Sequence, residues 1–110
     1  MNIRKLSDDL SVGAQVGISD LEAIRAAGFR AILCNRPDGE DSGQPSFHDK
    51  RAAAQPQGLE ARHQPIVPGR IFEDDVATFR ALVSKMQKSV LAYCRTGARS
   101  SSLWTKMMGK

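Results

Sequence analysis

Ser89-Val90-Leu91-Ala92-Tyr93-Cys94-Arg95-Thr96-Gly97-Ala98-Arg99-Ser100 is the stretch on which the fold turns. Its first five residues, a short apolar run closed by turn-forming residues, read as a buried strand. From Ser100 to Met108 the pattern reads as a helix, with Leu103, Trp104, Met107 and Met108 on its inner face. The loop between them leaves a strand and enters a helix. In such a loop successive amide N–H groups point inward and the helix N-terminus adds positive potential, which makes an anion cradle. Gly97 lets the backbone turn closely without a Cβ. Arg99 offers a planar fork of donors suited to an oxyanion. In that field the thiolate of Cys94 is favoured, so its pKa should fall below the free value of about 8.5. Thr96, Gly97, Ala98, Arg95 and Arg99 are therefore candidate anion-binding residues, and Cys94 is the candidate nucleophile. An attacking thiolate with donors aimed at developing oxyanions is what phosphoryl or sulfur transfer requires.

Working outward from the loop, strands and helices alternate. Residues 2–13 read as two short strands or a hairpin turning at Ser7-Asp8-Asp9. Ser19-Asp20-Leu21-Glu22 has capping-box spacing, and Ile18, Leu21 and Ile24 recur on one helical face until Gly28 stops the helix. A strand is expected over Phe29 to Cys34, a surface loop over residues 36–45, and a helix over about 46–55 with Ser46 as its cap. Another strand lies within Leu59 to Val67. The helix over about 72–87 has the clearest pattern, since Phe72, Val76, Phe79, Val83 and Met86 advance by alternating steps of 4 and 3. Glu73, Asp74 and Asp75 in its first turn complement the helix dipole. This order predicts one α/β domain over residues 1–110, in three layers, with a mainly parallel central sheet flanked by helices. Sites in such sheets lie at the carboxyl ends of strands, where Cys94 falls.

Composition narrows the function classes. The net charge of +4 is scattered, and only six residues are aromatic, so no basic stripe with stacking rings points to nucleic acid. A small anionic substrate fits that charge better. No apolar run approaches ~18 residues, and the N-terminus lacks the apolar core of a signal peptide, so neither a membrane span nor secretion is expected. Two cysteines, 60 residues apart, with no Cys/His cluster, suit the reducing cytoplasm and offer no metal site. No cofactor is called for. The chain stops one short helix after the loop, as a piece of a longer or fused protein would.

The loop resembles those of cysteine-based phosphatases and of rhodanese-type sulfurtransferases. Three stretches together, Leu10-Ser-Val-Gly-Ala-Gln15, Asn35-Arg-Pro-Asp-Gly-Glu40 and Tyr93-Cys-Arg-Thr-Gly-Ala-Arg-Ser100, extend the resemblance to about residues 3–108. They are similar to the phosphatase-like domain family found in beta-lactamase hydrolase-like proteins, whose fold is protein-tyrosine-phosphatase-like. The resemblance implies that Cys94 attacks phosphorus to form a thiophosphate intermediate. Arg99 and the loop amides would hold the equatorial oxygens, and Ser100 would help expel the phosphate. Two departures bear on the reaction. The phosphatase pattern has five residues between Cys and Arg, whereas this chain has four, the rhodanese length. The phosphatase His before the Cys is Tyr93 here. The alternatives are therefore a sulfurtransferase or persulfide carrier using Cys94, and an anion-binding module without turnover.

A phosphatase also needs an acid to protonate the leaving oxygen, and the loop Pro65-Ile-Val-Pro-Gly-Arg-Ile71 carries no carboxylate. The nearby candidates are Asp74, between Glu73 and Asp75, and Asp38 or Glu40 in the earlier loop. Arg36 could face the same pocket but reads first as a solvated loop residue. Cys34 reads as a small buried hydrophobe, or else, placed on the same side of the sheet as Cys94, as a partner that traps oxidised Cys94 in a disulfide. His48 and His63 read as surface residues.

Overall fold

The computed structural model describes residues 2–109. The opening residues fold as the expected hairpin, with strand β1 (Ile3–Lys5) antiparallel to β2 (Leu10–Gly13). Three further strands, β3 (Ala31–Cys34), β4 (Glu60–His63) and β5 (Val90–Tyr93), complete a sheet in the order β1-β2-β5-β3-β4. All pairings except β1 with β2 are parallel. The central strand is β5, the one that delivers Cys94.

Every residue of β2, β3 and β5 is buried, as befits strands covered on both faces. Period-two alternation sorts their side chains between two cores. Val12, Leu33, Val90 and Ala92 pack with Phe79, Val83 and Leu103, from helices α3 (Glu73–Lys85) and α4 (Ala98–Met107). Ile32, Leu91 and Tyr93 pack on the other face with Leu21, Ile24 and Ala54, from α1 (Leu21–Ala26) and α2 (Phe47–Ala54). The result is the three-layer α/β arrangement with a mixed, mostly parallel sheet.

Local details depart from expectation where a backbone group found another partner. The Gly17 N–H donates to Asp20 Oδ2 at 2.8 Å, so a 3-10 turn over Ile18–Asp20 opens α1 instead of a Ser19/Glu22 box. The α3 stripe begins at Val76, not Phe72. Phe72 stands at the N-cap, 66% exposed, because its extended backbone is fixed by a bond from its N–H to Asp75 Oδ2. Met108 likewise lies past the end of α4 and is 53% exposed. The Ser46 cap on α2 formed as expected, its side chain accepting from the Asp49 N–H.

Candidate active site

Neighbouring strands pin the loop from Cys94 to Ser100. The Cys94 N–H donates to Gly13 O at 3.3 Å, and the Gln15 N–H donates to Arg95 O at 3.2 Å, so the exit of β2 holds the first two loop residues. Gly97 takes φ +94°, and a Cβ there would stand 3.4 Å from Gly13 O. The Ser101 N–H then bonds Gly97 O and α4 begins. Inside this turn Cys94 Sγ accepts the Gly97 N–H at 3.1 Å. Burial of Cys94 pushes its thiol pKa up, but the N–H groups of Ser100, Arg99, Thr96 and Gly97 together outweigh it and bring the pKa below the ordinary value.

Arg99 is held by a partner 59 residues away. Its Nη1 donates to Glu40 Oε2 at 2.8 Å and to Ile66 O at 2.9 Å, while Nη2 donates to Glu40 Oε1 at 3.0 Å. A guanidinium has five N–H groups. Those three bonds leave Nε–H and one Nη2–H, an adjacent pair along one edge of the plane, uncommitted among the described residues. Glu40 Oε1 also accepts from Arg36 Nε at 2.8 Å. Hydrogen bonds from Arg99 hold the Glu40 carboxyl below its usual range against the opposing effect of burial, and the one from Arg36 reinforces this. Glu40 therefore acts as an ionised clamp, and a carboxylate so held is a poor proton donor.

Arg36 is not solvated. It is 3% exposed, with Nη1 on Gln15 Oε1 and Nη2 on Asp41 Oδ2 at 2.6 Å. Burial is tolerable because carboxylates and an amide take its donors on every side. The sequence signal was present in Asn35-Arg-Pro-Asp-Gly-Glu40-Asp41, but which acid meets which arginine depends on how the loop closes.

The remaining candidates separate clearly. The Ser100 amide is turned toward the sulfur, while its hydroxyl donates to Asn35 Oδ1 at 2.8 Å. Asn35, itself buried, donates to Gln64 O, and Gln64 donates to Asp75 O, so the loop is tied to the ends of β3 and β4 and to α3. Arg95 points outward with its side chain 65% exposed, 4.0 Å from Asp41. The Ala98 N–H is taken by Thr96 Oγ1. Asp38 is exposed and accepts the Phe47 N–H at the start of α2, and Asp74 is exposed in the first turn of α3. The carboxylates that do reach the loop's arginines are Glu40 and Asp41.

Cys34 shares the end of the sheet with Cys94 but not its face. It registers with Tyr93, lies in that residue's core, and donates to Arg36 O, whereas Cys94 follows Tyr93 and so alternates to the opposite face. Burial pushes the Cys34 thiol up. Beneath it Lys50, also buried, donates to Val16 O and to Tyr93 Oη, with its ammonium 4.8 Å from the Tyr93 ring centre. His48 is exposed, but His63 stacks on Phe47 at 4.6 Å and bonds Arg36 O, so it supports the same loop. Among the described residues no three His, Cys, Asp or Glu side chains cluster to hold a metal, and no helix is long and apolar enough to cross a membrane.

Comparison with known proteins places this geometry in context. The family model for the phosphatase-like domain of beta-lactamase hydrolase-like proteins matches residues 2–109. The beta-lactamase hydrolase-like protein of Agrobacterium fabrum is 30% identical over 104 residues, covering 94% of this chain. The chain spans only 24% of that relative's length. A crystal structure from Neisseria meningitidis, described as a candidate phosphatase, superposes with a TM-score of 0.88 at 41% identity, over 94% of this chain and 74% of its own. At 15% identity the fold recurs in Pseudomonas aeruginosa TpbA, solved with phosphotyrosine, with a TM-score of 0.67 over 93% of this chain and 59% of that one.

Proposed function

The chain belongs to the family of phosphatase-like domains of beta-lactamase hydrolase-like proteins, and on that premise we propose that it hydrolyses phosphate monoesters through Cys94. One observation carries the reading: a thiol with lowered pKa lies within a ring of loop N–H groups, beside an arginine whose free edge remains available to an anion. The Cys94 thiolate attacks phosphorus, an S–P bond forms, and the ester P–O bond breaks as the alkoxide leaves and takes a proton from solvent water. Water then attacks the thiophosphate, releasing inorganic phosphate and restoring the thiolate. The N–H groups of Thr96, Gly97 and Arg99, with the free edge of the Arg99 guanidinium, stabilise the charge that spreads over the phosphoryl oxygens.

A second reading, sulfur transfer, is favoured by specific features of this loop. Only four residues separate Cys94 from Arg99, and the segment from Pro65 to Ile71 supplies no carboxylate acid. In that reaction Cys94 attacks the outer sulfur of thiosulfate, sulfite departs, and the persulfide passes its sulfur to an acceptor such as cyanide. One comparison separates the two. An aryl phosphate, and thiosulfate with cyanide, are each assayed with wild type and Cys94→Ser. Phosphate release that the substitution abolishes supports the phosphatase. Thiocyanate formation without phosphate release overturns it in favour of sulfur transfer.

A further inference from the structure

A cavity of about 510 Å³ opens against the outer side of the catalytic loop and runs along α4. Three cationic side chains border it, Arg95, Arg99 and Lys106, and no carboxylate does. The Ser102 hydroxyl lies on the same wall, and Ile71 supplies an apolar one opposite. Ala98, Ser102 and Lys106 are spaced four residues apart, so they form a single stripe on α4 facing this space. Eight residues at 1.5 Å each set Lys106 about 12 Å along the helix from Ala98. The three cations differ in their commitments. Glu40 takes the end of Arg99, and Asp41 lies 4.0 Å from Arg95, beyond hydrogen-bond range. Lys106 pairs with no carboxylate among the described residues.

We propose, resting on the phosphatase reading above, that this cavity is a subsite for a second anionic group on the substrate. The phosphoryl group sits in the loop, the carbon frame lies against Ile71, and a carboxylate or second phosphate meets Lys106, with Arg95 on the same cavity's border. The substrate class is thus an extended phosphate monoester with a second negative charge at its far end. A small aryl phosphate with an uncharged ring fills only the first part of the site.

The experiment measures binding of two inert probes, phenylphosphonate and 4-(2-carboxyethyl)phenylphosphonate, to wild type by calorimetry. The carboxylate-bearing probe is expected to bind about threefold more tightly, the scale of one exposed ion pair. That gain should shrink as salt is raised. Lys106→Ala should erase the gain without weakening phenylphosphonate, and Lys106→Arg should restore it. Equal affinity of the two probes for wild type overturns the subsite while leaving the phosphatase reading intact. A Lys106→Ala protein that keeps the gain does the same. If neither probe binds, the phosphatase reading fails and the subsite fails with it.

Discussion

Cys94 and Cys34 lie at the ends of adjacent strands, yet their surroundings push them in opposite directions. Four N–H groups stabilise the Cys94 thiolate, whereas burial without comparable donors raises Cys34. Thiolate is the reactive form, so Cys94-dependent activity should rise with pH through a midpoint below the ordinary thiol range and be lost beneath it. The ultraviolet thiolate absorbance of wild type minus Cys94→Ser reads that midpoint directly; a value at or above a free thiol's would contradict the cradle. Arginines on the same loop should also behave differently. Arg99→Ala removes the guanidinium edge and is expected to lower kcat/KM by about 100-fold or more. Arg95→Ala should cost only a few-fold, since its side chain is largely exposed. Glu40→Gln should fall between them while lowering stability by about 1.5–3 kcal/mol, because two buried arginines lose a charged acceptor. Equal losses for Arg99→Ala and Arg95→Ala in steady-state kinetics would overturn this assignment of roles.

At the scale of elements, the joint between β5 and α4 depends on Gly97. Its φ of +94° lies in the region that favours glycine, whereas the Gly13 carbonyl would meet a Cβ only at ordinary contact distance. Gly97→Ala should therefore cost about 1–2 kcal/mol in chemical denaturation. It should also reduce turnover, since the Gly97 N–H that faces the sulfur would turn with the backbone. A variant with wild-type stability and rate would show that the loop is not held in this conformation. Capping was less predictable than helix position. Ser46 caps α2 as its sequence suggested, but the start of α1 went to Asp20 and Gly17, one of several acceptor–donor pairs within reach.

Across the whole molecule, Asn35 joins parts of the chain that only the sheet brings together. It accepts from Ser100 at the start of α4 and donates to Gln64 beyond β4, all in buried surroundings. Asn35→Ala leaves those partners without it and should destabilise the fold by about 1–3 kcal/mol. Activity should fall as well, because Ser100 is one of the residues directing its amide at Cys94. Urea unfolding checks the first effect and kcat the second; a neutral result in both would mean that the Ser100–Asn35–Gln64 chain does not hold the loop.

The alternation of strand and helix was legible in the sequence because period-two and period-3.6 patterns depend on neighbours a few residues apart. For the same reason the loop announced itself, since Cys94, Gly97 and Arg99 lie within six consecutive positions and their amides are oriented by local turn geometry. What the sequence left open was decided by contacts across the fold. Glu40 became a clamp on Arg99, Arg36 became buried, and Cys34 fell on the face away from Cys94. The first two depend on where the 36–45 loop lies and the third on the register of β3 against β5, and no spacing along the chain encodes either. Local sequence thus set Cys94 and its cradle, while the assembled sheet chose the acid that holds Arg99, because ion pairs between residues 59 positions apart form only once the strands are in register.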